Sequence, residues 1–343
     1  MGRDLILRPY GRFHYLPKLL AAMGHDVTVL LLNHARGPKE SVIRDGVKII
    51  SVSFVPTGPI KYLLTAHHLV SENKPDWIIG LSDTFYGILS QYLADRYGIR
   101  CLIDAYDNYE SYLPWCFPLH FLWRRALGKA TRITAAGPQL AELLRDSADD
   151  REVSVLPMAA DPKFIPIDRI EARNFFGLPL RKKIIGYCGA IYKNRDIELL
   201  FSLAEHLKTS SPDFEIVISG RKEKGVNVPG CTTWLGYLPD EQVPKMLNSM
   251  DVLLVLNRES KFGKYSYPVK LYEAMQCLLP VVASDTEAIR WILRDREKCL
   301  AKPGDVEDFT NKIIEIADVN RCEYEGSHAW GKVASELETI LSE

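Results

Sequence analysis

Residues 265–286 read YSYPVKLYEAMQCLLPVVASDT. A proline, a lysine two residues later and a glutamate three after that open a short helical pattern, and a valine-rich apolar run closes it as a strand. Pro268 suits the first helical position with Ser266 or Tyr267 as cap, which leaves the first-turn amides directed beyond the helix start. A phosphate fits there. Lys270 adds a full charge beside it, and Glu273 is an acceptor-only group of the kind that holds a pair of sugar hydroxyls. The spacing also allows an ordinary capped core helix with Lys270 and Glu273 in solvent.

Around this stretch, short aliphatic runs alternate with helical patterns. Upstream and downstream of it the strands KIIGYCG (183–189), FEIVISG (214–220), CTTWLGYL (231–238), DVLLVL (251–256), LPVVAS (279–284) and KCLAK (298–302) are each followed by a helical segment. The first half repeats the pattern with DLILRP (4–9), DVTVLLL (26–32), VKIISVSF (47–54), DWIIGLS (76–82), RCLIDAY (100–106), TRITAAG (131–137) and VSVLP (153–157). Amphipathic stretches between them, such as FHYLPKLLAAMG and FYGILSQYLADRYG, end on Gly24 and Gly98 as helix C-caps. Such alternation predicts parallel sheets covered by helices. The proline-rich break at PMAADPKFIPIDRIEARNFFGLPLRK places an interdomain linker within residues 158–167.

With 343 residues, 47% of them hydrophobic, the chain exceeds one ordinary core and can fill two. Its 43 basic and 44 acidic side chains give a net charge of -1, which offers no global attraction to nucleic acid, so any anion site is local. The seven cysteines are scattered without a C-x-x-C pair, and they read as small buried hydrophobes rather than a disulfide framework or zinc site. The start, MGRDLILRPYGRFHYL, holds a four-residue apolar core, too short for a secretory signal. No apolar run nears the ~18 residues of a spanning helix. A cytoplasmic protein is expected.

Open parallel sheets bind ligands beyond the carboxyl ends of their strands, and two facing sheets make a cleft. The segment quoted first resembles the nucleotide-binding segment of the GT-B glycosyltransferases, the Leloir-type family that builds bacterial polysaccharides and glycolipids (glycosyl transferases group 1, family 4-like). The pattern is P-x-K-x-x-E-x-M, a short link, then P-V-V-A-S. The resemblance implies α/β GT-B architecture: two Rossmann-like domains facing across a cleft, with a C-terminal helix crossing back to the first. It also implies Glu273 on the donor ribose. Many members carry another glutamate eight residues earlier, where this chain has Tyr265, and Glu259 in the same loop is the candidate substitute.

GYCGAIYKNRDIELLFSLAEHL (186–207) resembles the family's G-R-x-x-x-x-K-G segment. Gly189 matches the glycine, Arg195 falls where the lysine lies and Ala190 replaces the arginine, with Lys193 offered in its place. Arg195, Lys193 and Lys270 would then neutralise the donor diphosphate without a metal. KNR also reads as a solvated turn. ISGRKEKGVNVPGCTTWLGYLPDEQVPKMLNSMDVLLVL (218–256) resembles the segment that edges the base, which implies Gly220, Arg221, Tyr237 and Leu238 along the base and ribose. Backbone readout of that kind leaves uracil, guanine and adenine open.

In the first half, CLIDAYDNYESY (101–112) ends a predicted strand with Asp104 and Asp107 three residues apart. A carboxylate there accepts the proton of an acceptor hydroxyl or orients the donor sugar. Resemblance to members with a yDxxD-like loop favours Asp107; one of the pair as a helix N-cap is the alternative. RPYGRFHYLPKLLAAMGHDVTVLL resembles the family start and implies Gly11 in a loop near the donor, with His14 a helix-face residue. VLPMAADPKF resembles the entry to the second domain, Asp161 and Phe164 matching, and SHAWGKVASELETILSE resembles the terminal helix. The expected domains are residues 1–160 on the acceptor side, 161–326 on the donor side, and a returning helix, 327–343.

YLPWCFPLHFLWRRALGK (112–129) sets aromatic rings beside Arg124, Arg125 and Lys129, as in a helix whose residues 115–129 touch a membrane surface or a lipid-linked acceptor. A helix buried under a loop is the other reading. The resemblance implies metal-independent transfer of a sugar from a UDP- or GDP-sugar to a hydroxyl of a glycan or lipid-linked acceptor. No cofactor beyond the donor and no nucleic-acid partner are expected, and the inner face of the membrane is a candidate location. A sugar-nucleotide epimerase of similar fold and a non-catalytic nucleotide-sugar-binding protein stay open as alternatives.

Overall fold

The computed structural model describes residues 5–36, 40–148, 151–192, 195–258, 260–326 and 328–343. The chain divides into two compact units, residues 1–159 with 328–343, and residues 160–327.

The first unit opens with α1 (Arg12–Ala22), β1 (Val27–Arg36), β2 (Glu40–Arg44), β3 (Val47–Val55), α2 (Ile60–Asn73), β4 (Trp77–Leu81) and α3 (Thr84–Tyr97). It continues with β5 (Arg100–Ala105), α4 (Phe117–Lys129), β6 (Arg132–Ala135), α5 (Pro138–Ser147) and β7 (Val153–Val155). Strands β4 to β7 form one parallel sheet in chain order, while β1 and β2 flank β3, β1 parallel and β2 antiparallel. Beyond their first residues β5 and β6 are buried without alternation, as strands covered on both faces must be. The strand expected at DLILRP does not form over its described residues, 5–9. Residues 5–7 lie in a turn, with Ile6 buried against Val47 and Ile49. A strand needs a ladder partner, and β2, which its polar sequence concealed, takes the second edge of β3.

The second unit holds α6 (Arg169–Phe176), β8 (Lys183–Cys188), α7 (Ile197–Ser210), β9 (Phe214–Ser219), β10 (Thr232–Trp234) and α8 (Val243–Asn248). Then come β11 (Val252–Val255), α9 (Val269–Gln276), β12 (Val281–Ser284), α10 (Glu287–Ile292), β13 (Leu300–Ala301) and α11 (Val306–Ile316). Its sheet is parallel throughout in the order β10-β9-β8-β11-β12-β13. The chain winds outward from β8 to β10, then returns to β11 and winds the other way. That reversal makes the β8–β11 junction the topological switch point, where open α/β sheets bind ligands. Strands β10 and β13 are shorter than their sequences suggested because each lies at an edge with a single neighbour.

The stretch expected as a linker is taken up by the second unit: Phe164 is buried, and Asn248 bonds both the Ile165 carbonyl and the Ile167 amide. All seven cysteines are free, four of them buried. The terminal helix α12 (Trp330–Ser342) belongs to the first unit. Trp330 stacks on Tyr15 of α1, and the Trp77 indole donates to the Leu341 carbonyl at 3.0 Å.

Candidate functional site

Three glycines interlock at the carboxyl edge of the second sheet. The Gly189 amide donates to the Ser219 carbonyl at 3.0 Å, and the Gly220 amide donates to the Gly236 carbonyl at 2.9 Å. Gly220 has φ 144°, and a Cβ on it would lie 1.7 Å from the Gly189 carbonyl oxygen. Only glycine permits that approach, so backbone rather than side chains lines this part of the edge. Beneath it the Tyr187 hydroxyl donates to the Ala190 carbonyl at 3.0 Å. Burial pushes that phenol up to about 12, against the opposing pull of the Arg195 charge.

Arg195 is exposed just before α7, its guanidinium 5.4 Å over the Phe262 ring. Arg221 stacks on the half-exposed Tyr237 at 4.6 Å, while Lys222 lies over the exposed Trp234, a ring and cation that the sequence reading did not single out. Leu238 is half-buried in the same turn. Lys193 and Glu259 lie outside the described residues.

Helix α9 begins one residue later than its sequence suggested. Pro268 is extended, with φ -68° and ψ 118°, and forms the cap position itself; no side chain caps the helix. Ser266 is buried, its amide on the Gly263 carbonyl, so it does not serve as the cap. Neither Lys270 nor Glu273 is a solvated surface charge. Glu273 is 0% exposed, and Lys270, with 31% of its side chain exposed, donates to its Oε2 at 2.5 Å. The two residues read separately, one for phosphate and one for ribose, form a single ion pair at the start of α9.

In the first unit Gly11 has φ 64° and caps α1, its carbonyl accepting from the His14 and Tyr15 amides. The structure separates the two aspartates. Asp104 is buried under the Arg12 guanidinium, which binds it twice, at 2.5 and 2.7 Å, and reaches on to the Leu156 and Pro157 carbonyls. Thr134 donates to the same carboxylate at 2.6 Å. Asp107 lies beyond the end of β5, half-buried, and accepts from the Tyr112 hydroxyl at 2.6 Å. Burial first, then the Asp107 charge, pushes the Tyr112 phenol well above its ordinary value, so it stays a donor. Neither aspartate caps a helix, since Asn108 and Cys116 hold the next two cap positions.

Helix α4 buries only one face. Trp123 and Leu127 are inside, whereas Trp115, Phe117 and Phe121 are 71%, 74% and 66% exposed, with Arg124, Arg125 and Lys129 also outside. Arg124 pairs with Glu110 and Lys129 with Asp95. No helix of the described residues is long and apolar enough to cross a membrane, and no three potential metal ligands come together among them.

Two Rossmann-like units, one with a glycine-lined edge next to its switch point flanked by basic side chains, define an α/β protein of the kind that binds ligands at that edge. The chain belongs to the GT-B glycosyltransferases: residues 168–335 match the family Glycosyl transferases group 1, and residues 12–159 match the Glycosyl transferase 4-like domain. It is similar to the 2-deoxystreptamine glucosyltransferase of Streptomyces kanamyceticus, 25% identical over 211 residues, which cover 57% of this chain and 53% of that protein. The chain thus spans about half the length of that relative. Its fold is shared with sucrose-phosphate synthase from Thermosynechococcus elongatus, with TM-score 0.74 and 17% identity over 96% of this chain and 88% of that one. It is shared also with Anabaena HepE in complex with UDP and glucose, with TM-score 0.71 and 14% identity over 100% and 97% of the two chains.

Proposed function

We propose that the protein transfers a glycosyl group from a nucleotide-sugar donor, UDP- or GDP-linked, to a hydroxyl of a glycan or lipid-linked acceptor in surface polysaccharide or glycoconjugate synthesis. The observation that carries this reading is the Gly189–Gly220 contact, which leaves bare backbone at the carboxyl ends of β8 and β9, next to the switch point, with Arg195 before the helix that follows β8 and the Lys270–Glu273 pair on the helix that follows β11. Glu273 accepts the ribose hydroxyls, while Gly220, Arg221, Tyr237 and Leu238 edge the base. Arg195, Lys270 and the first amides of α9 stabilise the diphosphate as it leaves. In the first unit Asp107, oriented by Tyr112, takes the acceptor proton or orients the sugar.

The test is a screen of sugar nucleotides by thermal shift followed by transfer assays with and without EDTA. Saturation at a hundred times Kd adds about 2.7 kcal/mol to stability. Interconversion of the sugar nucleotide without acceptor would identify an epimerase, and binding without turnover a non-catalytic protein. Activity lost to EDTA and restored by magnesium would overturn the role given to the basic side chains.

The exposed face of α4 favours a second statement, that the protein binds the inner membrane surface through residues 115–129. Trp115, Phe117 and Phe121 would enter the interface, with Arg125 and its neighbours at anionic headgroups. Co-sedimentation with anionic but not neutral vesicles, reduced in Phe117→Ser/Phe121→Ser, is the expected result; equal sedimentation of the variant would exclude this surface.

A further inference from the structure

In the loop between β8 and α7, Gly189 is followed by the uncharged Ala190. The structure supplies a guanidinium at the same switch point from a different strand. Leu253 of β11 pairs opposite Gly186 of β8, so the loops that leave the carboxyl ends of these two strands are neighbours. Arg258 Nε donates to Asp196 at 3.1 Å, and its Nη2 pairs with Glu198. Asp196 stands in the left-handed region, φ 55°, at the start of α7, with no side-chain cap bond. Two carboxylates at a helix start that is to receive an anion are unfavourable unless a cation covers them. Arg258 covers both, and 41% of its side chain still faces solvent.

The same loop carries two more signs of a built site. Phe262 lies under Arg195, so Phe262 and Arg258 each reach the start of α7. Gly263 closes the loop so tightly that a Cβ there would lie 1.9 Å from the Arg258 carbonyl oxygen, which fixes where the Arg258 backbone sits. Beside it Asn257 is only 9% exposed, its amide donating to Ser284 Oγ at 2.9 Å, yet its buried Nδ2 has no hydrogen-bond partner. A buried donor left unpaired is costly to the fold.

We propose that Arg258, with Asn257 beside it, binds the diphosphate of the donor, the loop after β11 supplying a guanidinium at the start of the helix that follows β8. The assignment rests on the donor-binding reading above and adds two residues to it. On binding, the diphosphate shares the guanidinium with Asp196 and Glu198, and the Asn257 amide gains its acceptor.

The experiment is calorimetric titration of the full chain with UDP, GDP and ADP, and with the matching nucleosides, which have the base and ribose but no phosphate. For whichever diphosphate the wild type binds, Arg258→Gln is expected to raise Kd tenfold or more while nucleoside binding, which reports an intact base and ribose site, stays within error. Equal diphosphate affinity in wild type and Arg258→Gln overturns this inference and leaves the donor site standing; a wild type that binds none of the three overturns both. The Arg258→Gln/Asp196→Asn/Glu198→Gln variant separates contact from mere neutralisation. Affinity that stays weak there supports contact, and recovery to the wild-type value overturns it. Asn257→Leu, which replaces an unpaired buried amide by an apolar group of similar size, is expected to weaken diphosphate binding without lowering Tm. Unchanged affinity in that variant removes Asn257 from the site.

Discussion

Replacing Glu273 by glutamine probes the pair at the start of α9. The carboxylate is fully buried, and its Lys270 partner, 2.5 Å away, keeps part of its side chain in solvent. In the free protein the substitution takes the carboxylate charge out of the hydrogen bond that Lys270 donates, and charge-assisted bonds contribute about 1.5–3 kcal/mol. Lys270 can turn its ammonium to water, so the loss of stability should fall near the lower figure, about 1–2 kcal/mol. If the same carboxylate accepts the ribose hydroxyls, nucleotide binding weakens by about 1.5–3 kcal/mol as well, roughly 10–150-fold in Kd. Urea denaturation reads the first quantity and calorimetric titration with nucleoside diphosphates the second. Lys270→Met and the double variant complete a cycle that isolates the coupling between the two side chains. A folded Glu273→Gln protein with wild-type affinity would refute the ribose assignment, and one with wild-type stability would refute the pair as a stabilising contact.

Asp107→Asn should keep donor binding and lower turnover roughly a hundredfold, with Tyr112→Phe losing less; a near-normal rate in Asp107→Asn would end its candidacy. Arg12→Met leaves the buried Asp104 carboxylate with Thr134 as its remaining side-chain hydrogen-bond donor, and should destabilise the protein by about 3–5 kcal/mol in urea unfolding. A loss under about 1 kcal/mol would show that this ion pair is neutral to stability. His14 is held below its usual 6.5 by burial first and Lys18 next, with Asp45 pulling the other way. Below about pH 6.5 the unfolded chain therefore binds more protons at this position, so stability present at neutral pH is lost as the pH falls toward the depressed folded value. His14→Gln should flatten that slope between about pH 7 and 5, and an unaltered slope would remove His14 as its source.

The sequence by itself determined the alternation of strands and helices, because side-chain period and helix-ending glycines are local properties of the chain. It also located Gly189, Gly220 and the α9 segment, since a backbone that must approach closely or turn sharply leaves glycine and proline in fixed places. The Lys270–Glu273 spacing was legible as one helical turn, but the complete burial of Glu273 was not, because burial depends on what the rest of the chain lays over that turn. Strand pairing was decided only in three dimensions: DLILRP has strand composition, yet β2 holds the edge of β3. The same holds for charges distant in sequence. Arg12 meets Asp104 across 92 residues, which buries one of two aspartates that looked alike and leaves Asp107 with Tyr112. Arg258 meets Asp196 across 62 residues because the winding order makes β8 and β11 neighbours, and no local pattern records which strands a sheet sets side by side.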